Sequence, residues 1–157
     1  DEKLYSMIFP GTKWCGPGNN ADGYDDLGKF RETDKCCRDH DNCDSIPAGG
    51  EKHGLQNDGR YTRLHCKCDK NFYDCLHKVN DRVSNIVGRT YFQFTNLCYR
   101  EDRPTTGCLE TETSLFDKRC VKYSYDRSQP KKYQWFDLPY YNSEKFPDLR
   151  GSEAETY

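Results

Sequence analysis

The chain has 157 residues, of which 34% are hydrophobic and 32% are charged, and its formal net charge is −2. This length suits about one domain, and so polar a composition leaves a lean apolar core, although aromatic residues, at 14%, can supply much of the buried area. The near-neutral charge gives no indication of a nucleic-acid partner and argues against simple charge-driven binding to anionic membranes. No apolar run approaches the roughly 18 residues of a membrane span.

Ten cysteines are present, an even number at close spacings. In a chain with a lean core this pattern predicts a disulfide framework, and therefore an oxidising compartment. The alternative is a reduced protein with zinc sites. It is disfavoured because Cys66 and Cys68 are too close for most zinc knuckles and no second Cys/His pair completes a tetrahedral set. The chain begins at Asp1 without a basic-then-apolar leader, so we expect a secreted, extracellular protein whose signal peptide has been removed.

The first predicted elements are a glycine-rich loop at residues 10–23 and two helices. Thr33 or Asp34 can cap a helix over residues 35–43. A longer helix is predicted from about residue 62 to 87, because apolar residues recur there at three- and four-residue steps, and Gly88 is a plausible stop.

Beyond residue 90 the pattern changes to short extended segments, predicted at residues 91–94, 120–125 and 130–138. The fold class is therefore mainly α with a small β part: two long helices, an N-terminal loop and C-terminal short antiparallel strands. We expect one domain over residues 1–140, with its core at 7–100 and its β-rich part at 101–140. Residues 141–157 hold few large apolar side chains and are expected to form a disordered tail.

The cysteines of the two helices share a spacing. Cys36 and Cys43 are seven residues apart, as are Cys68 and Cys75, and residues seven apart lie on one stripe of a helix. Pairing 36 with 75 and 43 with 68 suits antiparallel helices, whereas pairing 36 with 68 and 43 with 75 suits parallel ones. Spacing alone does not decide, although the common preference for antiparallel neighbours favours the first pairing.

His40 lies on the same stripe, between Cys36 and Cys43, and so faces the second helix. Asp69 follows Cys68 at nearly the same height. Histidine is the residue type best suited to proton transfer near neutral pH, and a carboxylate on one ring nitrogen would leave the other free to take a proton from water. A structural histidine is the usual alternative for a lone residue, but the neighbours of His40 favour a catalytic one.

Asp41 and the glycine-rich loop suggest a metal site beside that histidine. Calcium prefers six to eight oxygen ligands, commonly a mixture of carboxylate, backbone carbonyl and water. A bridge from Cys15 to Cys37 would hold the loop against the helix that carries Asp41. By itself the loop is a weak signal, since glycine-rich segments are more often simple turns.

Other hydrolytic routes find no support in the sequence. No G-x-S-x-G motif is present, and a cysteine nucleophile would need a free thiol that ten paired cysteines do not leave. Attack by water, activated by His40 and assisted by a cation, is the remaining route.

The sequence then resembles a known family. Residues 34–43, DKCCRDHDNC, fit D-x-C-C-x-x-H-D-x-C, the active-site helix motif of secreted phospholipases A2. Residues 10–19, PGTKWCGPGN, resemble the W-C-G-x-G calcium loop of the group III, bee-venom-type branch. The resemblance covers roughly residues 7–140, and further segments that share it lie at residues 52–55, 66–69, 72–76 and 133–138.

The resemblance implies an enzyme, a phospholipase A2, that releases a fatty acid and a lysophospholipid from the sn-2 position of glycerophospholipids. His40 would be the general base, Asp69 would orient it, and Tyr91 would hydrogen-bond Asp69. One calcium ion would polarise the ester carbonyl, with the Gly16 N–H as a second oxyanion donor. The implied calcium ligands are Asp41 and the carbonyls of Trp14, Gly16 and Gly18.

The family also implies the bridges Cys15–Cys37, Cys36–Cys75, Cys43–Cys68, Cys66–Cys98 and Cys108–Cys120. Lys13 departs from the leucine usual in the calcium loop. We expect a monomer that acts peripherally at a phospholipid membrane surface, with Met7, Ile8 and Phe9 as candidate contacts, although these three can equally pack the core. The alternative function is a catalytically silent, phospholipase-like toxin or ligand that binds a receptor or channel. It is disfavoured because His40, Asp41 and Asp69 are all present.

Overall fold

The computed structural model describes residues 7–142 and residue 146. The predicted class of helices with small antiparallel strands is confirmed within this part of the chain. The predicted tail over residues 141–157 lies largely outside the described residues. The elements are α1 (Arg31–Asp41), β1 (Ser45–Ile46), β2 (Glu51–Lys52), β3 (Leu55–Gln56), β4 (Arg63–Leu64), α2 (Cys66–Val79), α3 (Arg82–Phe94), β5 (Leu97–Asp102), β6 (Thr105–Thr113), β7 (Lys118–Tyr125) and β8 (Lys132–Asp137).

Contacts divide the chain into two compact units, each assembled from separate segments. The first contains the chain up to Asp44, Lys67–Phe94 and a segment from Tyr140. The second contains Ser45–Cys66, Thr95–Pro139 and Phe146. Among the described residues, no helix is both long enough and apolar enough to cross a bilayer.

Helices α1 and α2 of the first unit are cross-linked by Cys36–Cys75 and Cys43–Cys68. These are the pairs expected for antiparallel helices, so α1 and α2 run in opposite directions. Each native disulfide typically stabilises a fold by about 2–4 kcal/mol, chiefly by restricting the unfolded chain. The two bridges fix the relative height of every residue between them.

Helix α1 begins earlier than its sequence predicts. It starts after Phe30, which makes no side-chain capping hydrogen bond. Thr33 and Asp34, the predicted caps, therefore lie inside the first turn, and both are buried. The prediction of a cap at these residues was wrong, because the carboxylate of Asp34 binds backbone N–H groups of the glycine-rich loop instead.

The predicted helix over residues 62–87 is two helices. Asn80 adopts a positive φ of 47°, which few non-glycine residues do. Asp81 and Ser84 then form a reciprocal cap, with the Ser84 N–H donating to Asp81 Oδ1 at 2.8 Å and the Asp81 N–H donating to Ser84 Oγ at 2.9 Å. A second helix starts there and runs through Gly88, so that residue is not a stop.

Residues 91–94 form the last turn of α3 rather than a strand. The prediction failed because aromatic residues favour strands only weakly and packing overrides that preference. Phe92 is fully buried and meets the ring of Tyr73 edge-on at 5.1 Å. Gly88, one turn earlier, lies so close to Tyr141 that a Cβ atom would stand 2.7 Å from its ring.

The second unit is built from antiparallel pairs: β1 with β4, β2 with β3, β5 with β8 and β6 with β7. The strands predicted near residues 120–125 and 130–138 are confirmed as β7 and β8. Cys66–Cys98 and Cys108–Cys120 cross-link this unit. Its core contains Ile46, Tyr99, Phe136 and Leu138, none of which is exposed to solvent.

A buried arginine joins β7 to the chain that follows β8. Arg119 is 1% exposed, and its guanidinium donates to the carbonyls of Leu138 and Pro139 at 3.2 and 3.3 Å. Asp117 accepts from its Nε at 3.3 Å. Burial lowers the pKa of the Arg119 guanidinium, with attraction to Asp117 opposing that shift.

Replacing this arginine should destabilise the second unit. Arg119→Met keeps most of the stem but leaves two carbonyls without their donor, and unsatisfied buried groups cost about 1–3 kcal/mol each. We expect the free energy of unfolding in urea to fall by about 2–4 kcal/mol. Lys118→Met, at the exposed neighbouring position, is the matched control and should change it by less than about 0.5 kcal/mol. Equal effects of the two variants would contradict this role.

Candidate active site

A chain of three hydrogen-bonded side chains occupies the first unit. The Nε2 atom of His40 lies 2.7 Å from Asp69 Oδ1, and the hydroxyl of Tyr91 donates to the same oxygen at 2.7 Å. Asp69 is fully buried, and its Oδ2 atom has no hydrogen-bond partner among the described residues. Because an ionised carboxylate only accepts, Nε2 carries the ring proton in neutral His40, and Nδ1 is then the basic nitrogen.

Aromatic rings fix the plane of His40. The ring of Phe72 stacks on it at 4.1 Å between centroids, with 17° between the planes. Tyr91 meets it edge-on at 4.9 Å. With only 7% of the residue exposed, little of His40 remains open to solvent. The imidazole can therefore exchange a proton with a small polar molecule but cannot turn away from Asp69.

The position of this group follows from the local sequence. His40 is four residues after Cys36 and three before Cys43, so the two disulfides to α2 flank it along the helix. Asp69 directly follows Cys68 on α2. Side chains mounted between two covalent links on regular helices lose little entropy when they meet, which suits a site that needs fixed geometry.

The carboxylate of Asp34 holds the backbone of the glycine-rich loop in place. Its carboxylate accepts the N–H groups of Lys13 and Trp14, each at 2.9 Å, and of Gly28 at 2.7 Å. Asp34 is fully buried. Cys15–Cys37 ties the same loop covalently to α1. A buried anion that takes three backbone N–H groups holds several peptide planes at once.

Glycine is required at position 16 of this loop. Its φ is 148°, and a Cβ atom would lie 2.5 Å from the carbonyl oxygen of Met7. The Gly16 N–H donates to the Trp14 carbonyl at 3.1 Å, a tight turn that joins two of the groups singled out in the sequence. Gly18 also has a positive φ, 66°, which favours glycine.

Asp41 ends α1, one residue after His40. Its side chain forms no hydrogen bond or ion pair within the described part of the chain. Surrounding protein deprives the carboxyl group of hydration, and this, with repulsion from Asp34, raises the pKa of Asp41 to about 8. Part of the residue remains exposed to solvent. A bound cation would reverse both unfavourable contributions.

The donor set fits a hard cation such as calcium better than a transition metal. No group of three or more His, Cys, Asp or Glu side chains that could hold a metal was found within residues 7–142 or at residue 146. The candidate donors are instead one carboxylate, Asp41, and peptide carbonyls of the glycine-rich loop. The carbonyls of Gly16 and Gly18 accept no hydrogen bond from other described residues. Calcium commonly takes such oxygens as ligands.

The three candidate membrane contacts differ in exposure. Met7 is 44% exposed, whereas Ile8 and Phe9 are partly buried. The Phe9 backbone also belongs to the fold of the loop, because its N–H donates to Cys15 at 2.8 Å and its carbonyl accepts from Thr12. Among these three, Met7 is the side chain best able to contact a partner.

Two residues of the site were given no such role from the sequence. The sequence places Phe72 in an apolar period and in the resembling segment 72–76, without a role beside His40, although its position three residues after Asp69 places it one turn along the same helix face. The sequence offers Asp34 as a helix cap, whereas its partners are backbone N–H groups that no sequence pattern identifies. The place of Asp34 as the first residue of the motif 34–43 is the available signal.

Known proteins resemble this chain over most of its length. Residues 8–102 match the family described as Phospholipase A2. A phospholipase A2 from Apis cerana cerana is 48% identical over 138 residues, covering 86% of this chain and 100% of the relative. One from Bombus pensylvanicus is 50% identical over 135 residues, covering 84% and 98%. An acidic phospholipase A2 from Heloderma suspectum is 42% identical over 118 residues, covering 74% and 81%.

The role of Asp34 can be tested by Asp34→Asn. An amide has one acceptor oxygen and brings its own donor, so it cannot accept all three N–H groups. Hydrogen bonds to charged groups contribute about 1.5–3 kcal/mol each, and we expect a destabilisation of about 3 kcal/mol or more. Amide hydrogen exchange at Lys13, Trp14 and Gly28 should accelerate.

The matched control is Asp39→Asn, at an exposed position of the same helix. Exposed ion pairs contribute about 0–1 kcal/mol, so exchange in the loop should be unchanged. Unaltered protection of Lys13, Trp14 and Gly28 in Asp34→Asn would contradict the role of Asp34.

Proposed function

The chain belongs to the phospholipase A2 family, and from this premise we propose that it hydrolyses the sn-2 ester of glycerophospholipids with the help of one calcium ion. The products are a free fatty acid and a lysophospholipid. The observation that carries the proposal is the pair of hydrogen bonds from His40 and Tyr91 to Asp69, at 2.7 Å each. This arrangement leaves one imidazole nitrogen basic and fixes its direction.

The proposed base is Nδ1 of His40. It takes a proton from a water molecule as the water oxygen attacks the ester carbonyl carbon. Asp69 stabilises the imidazolium that forms, because its carboxylate already accepts the Nε2 proton. When the intermediate collapses, the same proton passes to the departing oxygen of the lysophospholipid, and His40 returns to its neutral state.

Tyr91 and Phe72 support this step without taking part in it. The Tyr91 hydroxyl shares the charge of Asp69 and holds its Oδ1 atom in place. Phe72 covers one face of the imidazole and limits access by bulk water. Both contacts keep His40 in one orientation through the cycle, which is the condition for efficient general-base catalysis.

Asp41 and the carbonyls of Trp14, Gly16 and Gly18 would hold the calcium ion. Once bound, that ion supplies positive charge that polarises the ester carbonyl and stabilises the oxyanion. The Gly16 N–H is the proposed second donor to the oxyanion. It donates to the Trp14 carbonyl in the free protein, so this role requires it to exchange that contact for the substrate oxygen.

We further propose that the protein acts outside the cell at a phospholipid surface. The five disulfides, with no free cysteine among the described residues, suit an oxidising compartment. The substrate class implies a peripheral encounter with lipid aggregates.

Fatty-acid release from phosphatidylcholine vesicles tests the proposed activity. We expect release in calcium, a loss of at least about a hundredfold in chelator, and recovery when calcium is restored. Magnesium should substitute poorly, because it is smaller, demands near-octahedral geometry and gives up its bound water reluctantly. Release that continues unchanged in chelator would contradict the calcium requirement.

His40→Gln tests the general base. Glutamine keeps a polar side chain of similar reach but cannot accept a proton in this range, so turnover should fall by about a thousandfold or more. Calcium binding, measured by calorimetry, should be retained because Asp41 and the loop are untouched. His53→Gln, at an exposed position, is the control and should remain active. Residual turnover within tenfold of the parent would sink the proposed role.

A further inference from the structure

The second unit carries an exposed apolar hairpin tip that the proposed chemistry does not use. Strands β6 and β7 are joined by a turn in which Leu115 is 99% exposed and Phe116 is 72% exposed. They are the two most exposed large hydrophobic residues of the described chain. A single exposed hydrophobic side chain at a protein surface is ordinary, whereas two adjacent ones indicate an interaction site.

The turn holds these side chains outward. The Ser114 N–H donates to the Asp117 carbonyl at 3.0 Å, and Ser114 Oγ accepts the Phe116 N–H at 3.1 Å. The Cys108–Cys120 bridge cross-links the two strands behind the turn. The tip is thus a braced feature of the hairpin.

We propose that Leu115 and Phe116 form a membrane anchor that inserts into the interfacial region of a phospholipid bilayer. A side chain that is 99% exposed has almost no neighbours, so the tip is convex and offers no flat face or groove. Specific protein partners bury about 800 Å² on each side, which two protruding side chains do not provide. A fluid lipid interface can close around such a tip, and apolar side chains gain by entering it.

The charges of the hairpin indicate which surface suits it. Between Thr105 and Tyr125 three acidic and three basic residues leave no net charge: Glu110, Glu112, Asp117, Lys118, Arg119 and Lys122. The whole chain carries only −2. Attraction to anionic lipid is therefore not the driving contribution. The anchor should work on zwitterionic phosphatidylcholine, with little dependence on salt.

The tip also lies beyond the residues that match the family model. The family match ends at residue 102, before the hairpin begins at Thr105. Among the candidate contacts near the N-terminus, Met7 alone is largely exposed. An anchor at the hairpin tip would add exposed apolar surface, of which Met7, Ile8 and Phe9 offer little. This inference rests on the proposed function in one respect, the choice of phospholipid as the partner.

Binding to vesicles of diether phosphatidylcholine tests the anchor without hydrolysis, since these lipids lack the ester. The parent protein should bind, and the double variant Leu115→Asn with Phe116→Asn should bind at least about tenfold more weakly, given the apolar area withdrawn. The control is Leu109→Asn, at a residue 56% exposed on the same hairpin. Six residues from the tip is roughly 20 Å of strand, beyond the depth of interfacial insertion, so binding should change less than twofold.

A second measurement places the tip in the lipid. The indole introduced by Phe116→Trp should shift to shorter emission wavelength on vesicles and be quenched by brominated acyl chains, at low and high salt alike. Hydrolysis of a monomeric, short-chain phospholipid should be the same for the double variant and the parent. This separates the anchor from the active site, because the binding assay needs no turnover.

Several outcomes would overturn the anchor. These are no binding of the parent to diether vesicles, equal losses in the Leu109 control, and no quenching of the introduced indole. Dimerisation in lipid-free solution that the double variant abolishes would assign the tip to self-association instead. If the anchor results hold while ester hydrolysis is absent, the proposed chemistry fails and the lipid surface stands.

Discussion

The hydrogen bond between His40 Nε2 and Asp69 Oδ1, 2.7 Å long, is the contact on which the site depends. It joins two helices that are already cross-linked at Cys36–Cys75 and Cys43–Cys68. A buried carboxylate is costly unless its charge is shared, and here His40 and Tyr91 both contribute donors to one oxygen. The disulfides hold the two helices in register, and so offset the cost of burying this carboxylate in a chain with a small apolar core.

Helix α1 carries four carboxylates, and two of them, Asp34 and Asp41, lie in contrasting environments. Asp34 is fully buried, and its carboxylate accepts three backbone N–H groups, which stabilises the conformation of the glycine-rich loop. Asp41, seven residues later, has no such donors within the described residues, and burial and the charge of Asp34 raise its pKa. One acid builds the loop and the other remains available to a cation beside it. This division would allow a single helix to carry both the proposed base and the proposed calcium ligand.

The sequence could predict the helices near His40 because cysteine spacing and apolar period agree there. The apolar period does not show the break at Asn80, since apolar residues continue at helical spacing on both sides. The local mark of the boundary is the pair Asp81 and Ser84, whose side chains cap the next helix. The strand prediction for residues 91–94 was wrong, because the burial of Phe92 in the helical conformation decides their structure. The prediction that Asp34 caps the helix was wrong, because its partners are backbone N–H groups of the loop, which a sequence does not reveal. The exposed Leu115–Phe116 tip was equally invisible, since exposure is a property of the folded hairpin.

The tautomer of His40 tests the central claim most directly. Isotope-labelled histidine, observed by NMR in the calcium-free protein near neutral pH, reports which ring nitrogen carries the proton. We expect the Nε2–H form, with its proton in a strong hydrogen bond to Asp69 that is lost in Asp69→Ala, and an unprotonated Nδ1. A dominant Nδ1–H form, or a ring unaffected by Asp69→Ala, would contradict the assignment of Nδ1 as the base.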